Sequence, residues 1–240
     1  MNDSGPDRPG VEHPLLALEL SQRSGGAAVV DEHRGFREIG FQGGRRDRDD
    51  VLPGIHEVLA GAGVAATSLG TVAVNVGPGG FTGLRISIAA GQAIAEVAGA
   101  IVVGVPGALV AAEATPEVRA IVGEIAVLSA AKAGTAWRTR LGRTATGDPW
   151  RVIGDPGIVD RLDDLPCDAL LADEHVPEEL VRSAIGDPPT HPPRFDASSV
   201  ARVALGSDVD LVVDADPARL LPIYPREPEA VRKWRSRPDR

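Results

Sequence analysis

Residues 71–98 read TVAVNVGPGGFTGLRISIAAGQAIAEVA. An apolar run from Thr71 to Val76 predicts a strand, the glycines that follow predict a turn, and the rest predicts a helix over 82–97. Only Arg85 and Glu96 carry charge between Phe81 and Ala98. A helix that is apolar nearly all round must be covered on nearly every side. The cover is either the core of this chain or another protein.

The turn itself contains Gly77, Pro78, Gly79, Gly80 and Gly83. Backbone N–H groups at a helix start, with no side chains in the way, can hold a phosphate. The spacing fits neither known phosphate signature: no G-x-G-x-x-G is completed, and no lysine follows for a P-loop. The other reading is a tight turn that needs positive φ and close contact between helix and strand. Along the helix, Ala89, Gly91, Ala93 and Ala95 are small residues at near-helical spacing. Such residues let two helix axes approach closely, in a core or between two chains.

Upstream, Leu15–Leu20 predicts a buried strand, and Gly25-Gly26 predicts a turn into a second strand over 27–30. A third is expected over 36–41, followed by a polar loop over 43–50. Val51, Leu52, Ile55, Val58 and Leu59 follow helical spacing, so a helix is expected over 51–60, capped by Asp49 or Asp50 and ended by Gly61 and Gly63. Downstream, a strand is expected over 101–105 and a helix over 106–114. In the second half, strands over 121–129 and 135–141 can pair across 132–134, with further strands at 150–153 and 170–172. Helices are expected over 177–184 and over 197–205, the latter capped by Asp196, and the proline-rich 186–194 reads as a loop.

The chain has 240 residues, 43% apolar and 25% charged, with only 3% aromatic, so its core must rest on Val, Leu, Ile and Ala. Its net charge of −9 lacks the broad basic footprint of a protein that grips nucleic acid alone. A single cysteine, Cys167, excludes an internal disulfide and a cysteine-built zinc site, and suits a reducing, cytoplasmic setting. Residues 1–13 are polar and read as a short disordered tail rather than a secretory signal. The most apolar stretch, 84–112, is broken by Arg85, Gln92, Glu96 and Pro106, so no membrane span is expected.

The order β-β-β-α-β-α-β-α resembles the ribonuclease-H-like lobe of the actin, Hsp70 and sugar-kinase superfamily, which usually carries two such lobes in tandem. The expected fold is α/β, two tandem lobes with mixed sheets flanked by helices. The expected division is a tail over 1–13, a first lobe over 14–114, a smaller second lobe over 115–221 and a basic segment over 222–240. No sequence repeat relates the halves, so any duplication is structural.

GPGGFTGLRISIAAGQAIA, from Gly77, is similar to the GPGSFTGLRIG signature of the YeaZ family, the bacterial tRNA threonylcarbamoyladenosine biosynthesis proteins TsaB. LLALELS resembles the family's first strand, which ends in Asp-Thr-Ser. VLPGIHEVLAGAGV resembles its Leu-Leu-Pro helix, VVGVPGALVAA its Gly-Val-Ser-Ser-Leu segment, and LLPIYPREPEAVRKW its closing Pro-x-Tyr-x-Arg segment. Departures are Glu19 for Asp, Leu20 for Thr, Gly80 for Ser, and 130–135 (AAKAGT) for Asp-Ala-Arg-x-Gly-Glu, which removes both acids of that motif. The resemblance is to a divergent member.

What the resemblance implies is a partner role. Such proteins have the two-lobed fold without a working active site. They bind a related catalytic subunit, TsaD, which transfers threonylcarbamoyl to tRNA adenosine, and a TsaE-type ATPase joins the assembly. The implied binding face is the pair of helices at 51–60 and 82–97, which pack in a four-helix arrangement or form a homodimer when the partner is absent. The interface residues expected are Leu52, Ile55, Leu59, Leu84, Ile88, Gly91 and Ala95, with Arg85 as a polar anchor and the 77–83 turn setting the helix in place. On that reading Ile88→Arg abolishes the complex and leaves the monomer folded. The protein would hold no cofactor of its own, any ATP would sit at the complex interface, and tRNA would be met indirectly, with no membrane contact.

Enzyme readings are weaker. His13, His33, His56, His175 and His191 include no two spaced as metal ligands one helical turn apart. Cys167, Ser21 and Thr82 have no sequence-visible base. A rival reading is a nucleotide-binding enzyme with Glu19, Ser21 and Asp173 near the cleft and the glycine turn holding phosphate. A further one is a diverged paralogue with another protein partner. The basic end (Arg226, Arg232, Lys233, Arg235, Arg237, Arg240) is either a contact for tRNA phosphate or a frayed terminus.

Overall fold

Strand β1 (Leu15–Glu19) and the strands that follow it carry small and branched apolar side chains on both faces, the pattern of a sheet covered on both sides. The computed structural model describes residues 10–33, 35–41, 50–163, 166–206, 212–214 and 220–225. Most of the expected tail, most of the 43–50 loop and the basic run from Arg226 to Arg240 lie outside the described residues.

After β1 come β2 (Gly25–Asp31) and β3 (Gly35–Phe41), α1 (Val51–Ala62), β4 (Thr71–Gly77), α2 (Phe81–Ala98), β5 (Ile101–Pro106) and α3 (Gly107–Ala114). The strands align in the order β5-β4-β1-β2-β3. β1 pairs antiparallel with β2 and parallel with β4 (Leu16 opposite Val29 and Val72), and β5 runs parallel to β4. Alternation then sorts the side chains. Leu16, Leu18, Val72 and Val74 pack under α1 and α2, whereas Leu15, Ala17, Ala73 and Val103 pack under the opposite layer.

Two helix boundaries differ from expectation. Gly61 lies within α1, and Gly63 alone ends it in the left-handed conformation (φ 65°), with Val64 N–H bonding Leu59 O. Asp50 occupies the N-cap but already has helical φ and ψ (−90°, −1°), and its side chain makes no capping bond.

The second half repeats the plan with β6 (Gly123–Ala130), β7 (Ala136–Arg143), β8 (Arg151–Val152), β9 (Gly157–Val159), β10 (Ala169–Ala172), α4 (Glu178–Arg182) and β11 (Thr190–His191). Its order, β8-β7-β6-β10-β11, reproduces β3-β2-β1-β4-β5, including the antiparallel meander and the two parallel additions. Both halves are ribonuclease-H-like lobes, and the duplication is visible in topology alone. β9 has no counterpart among the expected elements and pairs with β7. β11 lies inside the stretch expected to be loop. Its flanking prolines remove donors but keep their carbonyls, and Leu170 N–H bonds Pro189 O at 2.9 Å.

Helix α5 (Ala197–Leu205) starts as expected, with the Asp196 carboxylate accepting the Ser199 N–H at 2.6 Å. It follows the second sheet in sequence but packs on the first, and β12 (Val212–Asp214) then pairs with β5. α3 and α5 lie side by side between the sheets, in one core with Leu15, Ala73 and Val103 of the first and Ile125, Leu141 and Leu171 of the second. The helix covered on nearly every side is therefore α3, in which every residue but Glu113 is buried. No helix among the described residues is long and apolar enough to cross a membrane.

Candidate protein-interaction site

The site is built on the turn that launches α2. β4 ends at Gly77, whose φ of +92° suits glycine and few other residues. Gly80 occupies the N-cap of α2, and its N–H donates to Ser21 O at 2.7 Å. In the first turn of the helix a Cβ on Gly83 would stand 2.0 Å from Leu20 O. The glycines bring the helix start down onto the end of β1, as the close-contact reading of the turn requires.

Beneath this turn lies a buried polar cluster. Glu19, 1% exposed, accepts Ser21 N–H (2.7 Å) and Ser21 Oγ–H (2.5 Å) on Oε1, and Asn75 Nδ2–H (2.5 Å) on Oε2. Asn75 Oδ1 in turn accepts Gly77 N–H at 2.8 Å. Burial pushes the Glu19 carboxyl above its ordinary pKa, and the hydrogen bonds from Ser21 and Asn75 offset part of that push.

The cleft between the lobes, about 210 Å³, is lined by Gln22, Gly79, Gly80, Ser129, Asp173 and His175, among others. Asp173 and the glycine turn thus meet in one cleft. Glu19 and Ser21 are buried and bonded to each other below it. They are not cleft-lining groups, which corrects their expected place in a nucleotide site. Among the described residues no group of three or more His, Cys, Asp or Glu side chains could hold a metal ion.

The helices show a second correction. Leu84, Ile88, Gly91 and Ala95 form the stripe of α2 that faces the sheet, with Gly91 directly over Val74. Ile55 and Leu59 do the same on α1. All six belong to this chain's own core, and an apolar helix with no polar face gives no sign of which stripe turns inward. Of the expected interface residues, Leu52 and Arg85 are exposed.

The outward stripe of α2 consists of Ile86 (43% exposed), Ala89, Ala93 and Val97 (73%), with Leu52 (56%) facing it from α1. With Val51, Ala66, Ala90 and Ile94 they line an open, almost wholly apolar groove of about 480 Å³. Contiguous apolar surface of this kind marks interaction sites.

Arg85 is engaged within the chain. Its Nε–H donates to Tyr224 Oη at 2.8 Å, and its guanidinium lies 3.9 Å from the centre of the Phe81 ring. The two rings are 5.5 Å apart. Sequence pattern gives no sign of this cluster, because Tyr224 is 139 residues from Arg85. Buried Leu220, the Gln92 side chain on Leu220 O, and Ile223 N–H on Val76 O (2.8 Å) hold the returning segment in place.

Comparison with known proteins places this architecture. Residues 44–135 match the family model described as TsaD, tRNA N6-adenosine threonylcarbamoyltransferase. No curated protein sequence matches the chain. Among solved structures, YeaZ from Pseudomonas aeruginosa superposes with a TM-score of 0.71 at 22% identity, over 89% of this chain and 100% of its own. A second Pseudomonas aeruginosa structure, titled an uncharacterized protein with similarity to peptidase YEAZ, gives 0.71 at 20% identity over 90% and 100%. The chain therefore has the YeaZ fold, two actin-like lobes, and the matches fit a divergent TsaB.

Proposed function

We propose that this chain is a scaffold and activator subunit, without catalysis of its own, of a complex that makes tRNA N6-threonylcarbamoyladenosine. It presents the groove between α1 and α2 to a TsaD-type catalytic subunit. The observation that carries the reading is the exposed apolar stripe Ile86, Ala89, Ala93 and Val97 beside Leu52. A TsaE-type ATPase and tRNA would join through the catalytic subunit, and ATP would sit at the shared interface. Without the partner, the same stripe would pair two copies of the chain.

Light scattering after gel filtration, on a mixture with the catalytic subunit of the same organism, tests this. The expected mass is that of a stable heterocomplex. Ala93→Arg should weaken it at least about 100-fold, because the new guanidinium is desolvated without a partner in an apolar interface. The variant alone should keep its stability within about 0.5 kcal/mol, since Ala93 faces solvent. No complex, with ATP and tRNA present, would overturn the reading in favour of another partner.

A further inference from the structure

Every hydrogen bond made to Glu19 is donated to it. Ser21 N–H and Asn75 Nδ2–H can only donate. Ser21 Oγ itself accepts from Asn75 Nδ2 (3.2 Å) and Gln22 Nε2 (3.3 Å), which turns its own proton toward Glu19. The cluster is thus wired for an ionised carboxylate. Yet no cation faces it among the described residues. β2 meets it with Gly26, β4 with Asn75, and α5 brings Asp196, a like charge whose own neighbours are Glu38 and Arg202. Hydrogen bonding favours one protonation state and burial favours the other.

The neutral acid would carry a proton that needs an acceptor. Both lone pairs of Ser21 Oγ are taken, so the nearest free choice is Asn75 Oδ1, reached by turning the amide over. That oxygen now holds Gly77 N–H. Turned over, Asn75 would present Nδ2–H to Gly77 N–H, two donors face to face.

We propose that Glu19 and Asn75 form a proton-operated latch. The carboxylate holds the Gly77–Gly80 turn on β1, and its protonation turns the Asn75 amide, frees Gly77 N–H and loosens the start of α2. Phe81 and Arg85 lie just beyond, so the latch also sets how the outward stripe of α2 is presented. The inference needs only the fold and is independent of the partner reading.

Two measurements on the full chain between pH 8 and pH 5 test it: amide hydrogen exchange, corrected for intrinsic rates, and denaturant unfolding. Protonation of a group whose folded pKa is raised stabilises the whole fold. The contribution of Glu19 is full below its usual 4.5 and is lost as pH rises through the higher folded value. The expected signature is therefore of opposite sign at two scales. Gly77 protection falls at least about tenfold toward acid, while the Glu19 contribution to global stability rises. Glu19→Gln should show weak Gly77 protection at every pH and lose that contribution. The double variant Glu19→Gln with Asn75→Asp exchanges the two roles. The amide introduced on β1 donates to the carboxylate introduced on β4, and that carboxylate accepts Gly77 N–H, so protection at neutral pH should return. Gly77 protection that stays flat with pH in the wild type would overturn the latch. So would a folded double variant in which protection does not return.

Discussion

Ile88→Arg should leave no folded protein. Ile88 is 5% exposed and packs in one core with Leu18, Val72 and Val74 on the sheet beneath α2. Loss of the aliphatic side chain alone is worth about 2–5 kcal/mol. A guanidinium among aliphatic side chains, with no carboxylate in reach, adds the cost of an unpaired buried charge. Together these meet or exceed the roughly 5–15 kcal/mol by which a domain is usually stable. The expected result is insoluble protein, or a soluble chain with no cooperative unfolding transition. Wild-type thermal stability would mean that α2 is rotated about its axis, with Ile88 turned away from the sheet. The contrast with Ala93→Arg, five positions on, follows from the 3.6-residue turn: the two side chains leave the helix on opposite faces. A partner-binding defect in Ile88→Arg would therefore report on folding.

The limits of the sequence show in the same helix. Its existence and ends were readable, because an apolar strand, a glycine cluster and a terminal Gly99 mark them. Its orientation was not, because polar residues normally reveal the outward face and α2 has almost none. Ala89 and Ala93 look no different from Ala95, yet Ala95 is buried and the other two are more open to solvent. The lobe plan was legible in the first half, where strands are long and separated by glycine. In the second half β8 and β11 have two residues each, too short for any alternation to show. The packing of α5 on the first sheet, and the return of Leu220–Tyr224 onto α2, depend on contacts across more than a hundred residues. Local pattern cannot carry such contacts. Glu19 was visible as a departure from the family's Asp, but its burial and its bond to Asn75 arise only when β1 and β4 pair.

The same substitution at two helical glycines should act with opposite signs. By propensity alone, glycine to alanine inside a helix gains about 1 kcal/mol. At Gly61, near the end of α1, the new Cβ would meet only the flexible Arg37 side chain, at 3.4 Å. Gly61→Ala should therefore realise most of that gain. At Gly83 the Cβ would fall 2.0 Å from the main-chain oxygen of Leu20, about an ångström inside any tolerable contact. That oxygen sits between β1 and Ser21, whose own carbonyl holds Gly80 N–H, so it cannot retreat without breaking the launch of α2. The helix must lift instead, and overpacking of this kind costs about 1–3 kcal/mol before the lost contacts beneath α2 are counted. Gly83→Ala should be destabilised by at least about 2 kcal/mol net, a fall in Tm of about 4–8 °C for a chain of this length. Paired thermal melts of the two variants decide the matter. If Gly83→Ala is as stable as Gly61→Ala, α2 approaches β1 less closely than 2.0 Å implies, and the glycine turn is not what seats the helix.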